Sequence, residues 1–374
     1  MRRIFRIYFV PGLVLQSVVI GGGYGTGREI VEFLLSQGAV GGLLGLLVAT
    51  IVWSTTLAVS FELARISGAY DYKTFIKQLL GPAWFVFELV FLVGLLLVLS
   101  VVGAASGELV HSMTGAPNIV GIIVAMIAIS FIVFKGSDFI TKLFAIWAIF
   151  IYIGYAALII FTLSYFSDDA LSHFGHAKDT GNWAFNGAKY AALNVGIVPA
   201  ILFSVRHLRT RRETLIAGAL SGPIIMAPAL LLFLSLLSLY PGILSEAIPT
   251  NALLAAIDIP FFTIFFQILL LGTIIDTGAA FVHGFNERLA QSIKNQNRPF
   301  TALHRAGLGL IIFAISAFIA ERIGLISLVS HGYGAFTLIS IAVFLVPVLT
   351  WGIWQVIRAE RDQQAQQSIA APKG

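Results

Sequence analysis

Long apolar segments are the feature of this sequence that most limits its fold. A helix needs about 20 mostly apolar residues to cross a bilayer, and within hydrocarbon each backbone polar group must be satisfied by the protein itself. The sequence therefore predicts an all-α integral membrane protein with ten transmembrane helices. The ten segments cover residues 7–36, 40–66, 83–112, 117–135, 138–165, 184–205, 213–240, 260–290, 302–320 and 326–357.

The composition excludes several classes of protein. Only 11% of the 374 residues are charged and 58% are hydrophobic, whereas about a quarter of the residues in an ordinary soluble domain are charged. A soluble enzyme and a nucleic-acid-binding protein are therefore excluded. The chain has no cysteine, which removes disulfides, thiolate metal sites and cysteine nucleophiles. With neither an H-E-x-x-H motif nor a nucleotide-binding glycine loop, we expect no enzymatic activity and no cofactor.

The basic residues predict the orientation in the membrane. If the N-terminus is cytoplasmic, nineteen of the 23 Lys and Arg residues fall on the cytoplasmic side of the ten segments, as the positive-inside rule requires. We expect a multi-pass protein of the cell (inner or plasma) membrane, with both termini cytoplasmic and the lipid bilayer as its surroundings. Residues 166–183 are expected to form an extracellular or periplasmic loop, and residues 358–374 a disordered cytoplasmic tail. The stretch 241–259 predicts a short helix over the outer face.

The ten segments divide into two halves, residues 1–165 and 184–357. Because each half has an odd number of segments, the halves have opposite topology, which is typical of inverted-repeat transporters. The first segment is interrupted by five glycines within residues 21–27, and the sixth by Gly196 and Pro199. Each glycine costs about 1 kcal/mol in a helix, so helices 1 and 6 are predicted to be discontinuous around a cavity. The alternative is that the glycines only permit close helix packing.

The run from Gly21 to Ile30, with the sequence GGGYGTGREI, resembles the first-helix signature of the YkvI-type membrane proteins. These belong to the amino acid–polyamine–cation (APC) superfamily. The resemblance extends over nearly the whole chain except the tail. It implies a LeuT-type fold of five plus five helices, transport by alternating access and an amino-acid substrate.

The two interruptions are the predicted substrate site. The N–H groups at the start of the half-helix near Gly27 suit a carboxylate, and the carbonyls near Ile20 suit a cation. An amino acid, or a similar small zwitterion or organic anion, is the expected ligand. The candidate substrate-binding residues are Gly21, Gly22, Gly23, Tyr24, Gly25, Thr26, Gly27, Tyr190, Asn194 and Gly196.

Polar residues within the segments predict a coupling-ion site, because an ionisable side chain is costly inside a membrane. Asp276 and Thr277 lie near the middle of the eighth segment. Their oxygens suit Na⁺, which would be the one metal ion bound, and the carboxyl of Asp276 also suits a transported proton. The alternative is a neutral Asp276 bonded to a backbone carbonyl. Glu88 and Glu108 receive no predicted role.

An outer gate is predicted just beyond the first interruption. Arg28 and Glu32 have the i, i+4 spacing of a helical ion pair, and Lys189 is expected to pair with Glu29 or Glu32. The alternative is an ordinary salt bridge in the outer vestibule.

Together these features predict a secondary active transporter, with a small-molecule substrate and Na⁺ or H⁺ coupling such as symport. A passive channel or a sensor of the same fold is the alternative.

Overall fold

The computed structural model describes residues 2–176, 181–294 and 301–370, and the regular structure in these ranges is helical throughout. The α-helices, in chain order, are α1 (Arg2–Tyr8), α2 (Val10–Val19), α3 (Gly22–Gly25), α4 (Arg28–Phe33), α5 (Gly38–Ser67), α6 (Tyr72–Leu80), α7 (Trp84–Thr114), α8 (Asn118–Lys135), α9 (Ser137–Ser172), α10 (Trp183–Asn194), α11 (Val198–Ile201), α12 (Arg211–Leu237), α13 (Pro249–Ile257), α14 (Pro260–Lys294), α15 (Ala302–Ile323), α16 (Leu325–Ser327), α17 (Gly334–Ser340) and α18 (Ile353–Ala370).

Seven helical stretches in the described part of the chain are long and apolar enough to cross a membrane. They correspond to the second, third, fourth, seventh, eighth, ninth and tenth predicted segments. The first and sixth segments are broken into shorter helices, and the described apolar part of the fifth is Ile149–Thr162. The protein is thus an all-helical, multi-pass membrane protein with seven candidate spans.

The first segment is interrupted twice. Helix α2 ends at Val19, the single turn of α3 follows, and α4 begins only at Arg28. Gly27 has a φ angle of +77°, which glycine adopts without the steric cost that a Cβ atom would impose. The predicted interruption of the first helix is therefore confirmed, and Gly27 sets the direction in which α4 leaves it.

The sixth segment is interrupted more mildly. Helix α10 ends at Asn194 and is followed by two short 3-10 helical turns, Val195–Ile197 and Leu202–Val205, with α11 between them. Pro199 cannot donate a backbone hydrogen bond, and it lies at the start of α11. The predicted break at this position is present, although the chain stays helical through it.

Three boundaries differ from those predicted. Helix α9 continues past residue 165 to Ser172, so the predicted loop is helical at its start, and its residues 177–180 lie outside the described ranges. The tail from residue 358, expected to be disordered, is helical as far as Ala370. The tail is rich in Gln, Ala and Arg, which favour a helix. Because it continues the helix that begins at Ile353, the unfavourable step of forming a first helical turn is not needed. A short helix that was not predicted, α6, lies between the second and third segments. The short helix predicted within residues 241–259 is present as α13.

Polar contacts place the ends of several helices on one face of the molecule. Arg65 on α5 pairs with Glu62 at 2.6 Å, and Thr214 on α12 donates to the same carboxylate at 2.5 Å. Arg211, at the start of α12, pairs with Glu360 on α18. We call the face marked by the Arg211 end of α12 the basic face, and the face at its Leu237 end the far face.

Small residues bring the helices together, while large apolar residues cover the outside. A Cβ atom on Gly218 of α12 would lie 2.3 Å from the backbone nitrogen of Ala58 on α5. Such backbone contact is how membrane helices pack, because lipid is as apolar as the side chains. Outward-facing Ile127, Ile149 and Phe318 are among many exposed large apolar side chains, and they suit a lipid surrounding.

Candidate functional site

A cavity of about 80 Å³ lies where the interrupted first segment meets α7, α10, α14 and α17. Its wall is largely apolar and aromatic. Among the described residues that line it, Glu29 is the only acidic one, and none is Lys, Arg or His. Its polar side chains belong to Glu29, Asn194, Thr277, Tyr333 and Ser340, and its aromatic rings to Phe87, Phe91, Phe281, Tyr333, Phe336 and Phe344.

Two glycines of the first interruption lie against functional side chains of this cavity. A Cβ atom on Gly21 would lie 3.0 Å from Oγ1 of Thr277, and one on Gly23 would lie 2.0 Å from Oε1 of Glu29. The absence of a side chain at these positions therefore lets Thr277 and Glu29 approach the interrupted backbone. Both glycines line the cavity, as do Asn194 and Gly196 from the second interruption.

Other residues of the glycine run complete the turn and do not line the cavity. Thr26 donates its hydroxyl to the Gly23 carbonyl at 2.9 Å, and Tyr155 donates to the Gly25 carbonyl at 3.3 Å. The Thr26 carbonyl accepts from both the backbone N–H and the hydroxyl of Thr250, at 3.1 and 3.2 Å. The Gly23, Gly25 and Thr26 carbonyls thus already have donors within the protein. Gly25, Thr26 and Gly27 are not part of the cavity wall, and their contact with a substrate stays a prediction. Gly22 begins the single turn of α3.

Two predicted tyrosines surround the carboxyl of Glu29. Tyr24 and Tyr190 are buried, and neither hydroxyl has a hydrogen-bond partner among the described residues. Tyr24, Tyr155, Tyr190 and Tyr333 all lie close enough to Glu29 to interact with it electrostatically. Neither Tyr24 nor Tyr190 is part of the cavity wall.

Glu29 lines the cavity, and the ion pair of its neighbour Arg28 is made with Glu32 and not with Glu29. The residue is 5% exposed, and its Oε2 atom is buried without a hydrogen-bond partner in the described part of the chain. Neighbouring residues on an α-helix project about 100° apart, so Glu29 faces inward while Arg28 faces another way. A carboxylate buried without a partner is costly in a membrane protein, which marks this position as functional.

Arg28 fastens α4, the last helix of the first segment, to the far face. It pairs with Glu32 at 2.8 Å, as predicted, and its Nη1 donates to the carbonyls of Leu244 and Glu246 at 2.8 and 3.0 Å. Lys189 does not join this group: no ion pair between described residues links it to Glu29 or Glu32. Its ammonium nitrogen lies instead 5.7 Å from the ring centroid of Phe33, so the predicted pairing of Lys189 is wrong.

The two residues of the predicted ion site diverge. Thr277 lines the cavity and donates to the Thr273 carbonyl at 2.9 Å. Asp276 is not part of the cavity wall, although its Oδ1 atom is buried without a hydrogen-bond partner among the described residues. Gly272, one turn earlier on the same side of α14, packs against the ring of Trp147 on α9. Of these two adjacent residues, only Thr277 is therefore part of the cavity wall.

A cluster that the sequence did not predict lies on the basic-face side of the cavity. The guanidinium carbon of Arg288 is 3.8 Å from the ring centroid of Tyr72 and 3.4 Å from that of Phe91, a residue of the cavity wall. Its Nη1 atom is 3.7 Å from Oε2 of Glu88. The amphipathic pattern of residues 72–80, between two long apolar segments, was the feature of the sequence from which a helix at this cluster could have been predicted.

Glu108 is not part of this cluster. Its carboxylate accepts a hydrogen bond from Asn118 at 3.3 Å.

Comparisons with known proteins agree with this architecture. No family model matches the chain. A curated relative, an uncharacterized membrane protein of Bacillus subtilis named YkvI, is 23% identical in an alignment of 339 residues that covers 88% of this chain and 92% of the relative. The chain is a distant homologue of YkvI. That relationship confirms the resemblance found in the first segment and the multi-pass character of the chain.

Solved structures show the fold. A manganese transporter of Eremococcus coleocola superimposes with a TM-score of 0.60 at 12% identity, over 93% of this chain and 79% of the transporter. A Na⁺-coupled sialic acid symporter matches with a TM-score of 0.48 at 11% identity, over 92% of this chain and 86% of the symporter. At such identities the likeness is one of fold. The likeness to the manganese transporter therefore shows that the two chains share a fold.

Proposed function

We propose that this chain is a secondary active transporter of an amino acid or a similar small zwitterion, driven by Na⁺ or H⁺. In this proposal ten helices form a LeuT-type inverted repeat that works by alternating access. The observation that carries the proposal is the buried cavity at the interrupted first segment. There the carboxylate of Glu29, which has no hydrogen-bond partner at Oε2 among the described residues, lies against the backbone of Gly23. Interrupted helices around a central cavity are typical of such transporters.

Two clusters on opposite sides of the cavity support alternating access. Arg28 holds the outer half of the first segment to the carbonyls of residues 244 and 246. Arg288 stacks between Tyr72 and Phe91 on the basic-face side. Opening one cluster while the other stays closed would expose the cavity to one side of the membrane at a time. We propose that the basic face is cytoplasmic, in agreement with the distribution of Lys and Arg.

The proposed coupling residue is Asp276. Its buried and unpaired oxygen lies on α14 next to Thr277, which lines the cavity. Binding of Na⁺ or H⁺ would compensate the cost of this carboxylate. Thr277 is assigned to the cavity, where its hydroxyl would contact the bound substrate.

The cavity composition argues against two other cargoes. An organic anion would need a positive partner, and the described lining contains none. A manganese ion would need several hard oxygen or nitrogen ligands, whereas Glu29 is the one acidic residue in the described lining. The described residues also hold no group of three or more His, Cys, Asp and Glu suited to a metal ion.

Uptake into proteoliposomes tests this function. The purified protein would be supplied with a mixture of labelled amino acids under an inward Na⁺ gradient, an inward H⁺ gradient or no gradient. A transporter gives saturable accumulation that one of the gradients drives. Flux without saturation or gradient dependence would identify a channel, and binding without flux would identify a sensor.

A further inference from the structure

We propose that the central cavity binds the ammonium group of an organic amine at the carboxylate of Glu29, with the apolar body of the amine against the aromatic wall. This inference rests on the proposed function and narrows its substrate class. The ammonium group is the required element of the substrate, and a carboxylate is an optional one.

The first observation is the unbalanced charge of Glu29. The carboxylate is buried, and two basic residues that could have paired with it, the adjacent Arg28 and the predicted partner Lys189, make other contacts. Arg28 contacts Glu32 and two carbonyls of the far face, and Lys189 lies over the rings of Phe33 and Phe185. A buried charge without a partner is strongly unfavourable, so a bound cation stabilises this arrangement.

The groups that face Glu29 do not supply that positive charge. Four tyrosines, Tyr24, Tyr155, Tyr190 and Tyr333, lie close enough to Glu29 to interact with it electrostatically. A tyrosine is either neutral or negative. The ammonium group of a ligand would supply the positive charge that these side chains lack, and one carboxylate matches one ammonium group.

The second observation is the chemistry of the wall. Phe87, Phe91, Phe336 and Phe344 line the cavity with Tyr333. Aromatic faces attract ammonium groups and pack against apolar carbon. A small inorganic cation would instead favour a shell of several oxygen ligands. The wall thus favours an amine that carries an apolar group.

Three probes of similar size separate the possible recognition elements: phenylalanine, phenethylamine and 3-phenylpropionate. Thermal unfolding of the full-length protein in detergent would be measured against each probe, because a bound ligand stabilises the folded state. Phenethylamine and phenylalanine are expected to raise the unfolding temperature, and 3-phenylpropionate is not. Equal stabilisation by 3-phenylpropionate and phenethylamine would overturn the inference, and so would the absence of stabilisation by either amine.

Variants then assign the contact to Glu29. Glu29→Gln should weaken phenethylamine binding by at least about 30-fold, since losing one partner of a buried charge pair is costly. Glu29→Asp keeps the charge and should bind with intermediate affinity. Glu321→Gln, which neutralises an exposed carboxylate at the end of α15, is the matched control and should bind like the wild type. Equal affinity of Glu29→Gln and the wild type would overturn the assignment.

The ligand-free unfolding temperature separates this effect from misfolding. Because Glu29→Gln removes a buried charge without a partner, it should unfold at the same or a higher temperature than the wild type. Two further outcomes distinguish a failure of the amine-binding inference from a failure of the transport proposal. Gradient-driven uptake of a substrate without an amino group would overturn the inference alone. Amine binding without any flux would overturn the transport proposal and leave the binding site standing.

Discussion

The contact between Gly23 and Glu29 allows a steric test of the site that leaves every charge in place. In Gly23→Ala the new Cβ atom would lie 2.0 Å from Oε1 of Glu29. Real Cβ atoms essentially never approach a heavy atom closer than 3.0 Å, so the carboxylate must move by at least about 1 Å. At an effective dielectric constant of 20, lengthening a charge contact from about 3 to about 4 Å costs roughly 1.4 kcal/mol. We therefore expect about a tenfold weaker affinity for phenethylamine.

Titration of phenethylamine against thermal unfolding measures this change. Gly284→Ala on α14 is the matched control, because nothing lies within 4 Å of a Cβ atom at that position. Adding Glu29→Asp to Gly23→Ala shortens the acid and should restore part of the affinity. A Gly23→Ala protein that binds phenethylamine with wild-type affinity would refute the placement of the ligand beside this carboxylate.

Three further changes test the rest of the proposal. Asp276→Asn should abolish gradient-driven uptake while exchange of internal for external substrate persists in proteoliposomes; normal accumulation would exclude Asp276 as the coupling residue. Arg28→Lys cannot reproduce the three contacts of the guanidinium, so we expect the free energy of unfolding to fall by about 2 kcal/mol, and an unchanged unfolding curve would contradict this. Arg288→Ala should open the basic-face side, seen as faster maleimide labelling of a Cys at Ser340 in this otherwise cysteine-free chain; equal labelling rates would show that Arg288 does not close the cavity.

Much of the architecture could be predicted from local sequence. The apolar segments are long enough to be recognised individually, and the glycine run marked the interrupted helix because no regular helix sustains five glycines in seven residues. The Arg28–Glu32 pair followed from its i, i+4 spacing alone. Each of these features depends on residues that are close together in the sequence, and each could therefore be predicted without a structure.

The contents of the site could not be predicted in the same way. Whether Glu29 faces the cavity or the far face depends on the rotation of α4 about its axis, which Gly27 and the contacts of Arg28 set. Apolar residues face both lipid and the protein interior in a membrane helix, so hydropathy does not tell the two sides apart. For the same reason the prediction grouped Asp276 with Thr277, although only Thr277 lines the cavity.

The stacking of Arg288 was missed for another reason. Its position near the end of a long segment made it one of the basic residues that indicate topology. Its aromatic partners come from α6 and α7, more than 190 residues earlier in the chain. No local pattern connects residues so far apart.

The way in which Arg28 holds the far face has a consequence for how this loop tolerates substitution. Its two contacts there are made to the carbonyl oxygens of Leu244 and Glu246, which every amino acid supplies. Substitutions at 244 and 246 that keep the backbone path preserve both hydrogen bonds. A replacement of Arg28 removes the guanidinium that donates them. We therefore expect the residue types at 244 and 246 to vary among relatives, whereas the arginine at position 28, which lies outside the loop, is expected to be kept.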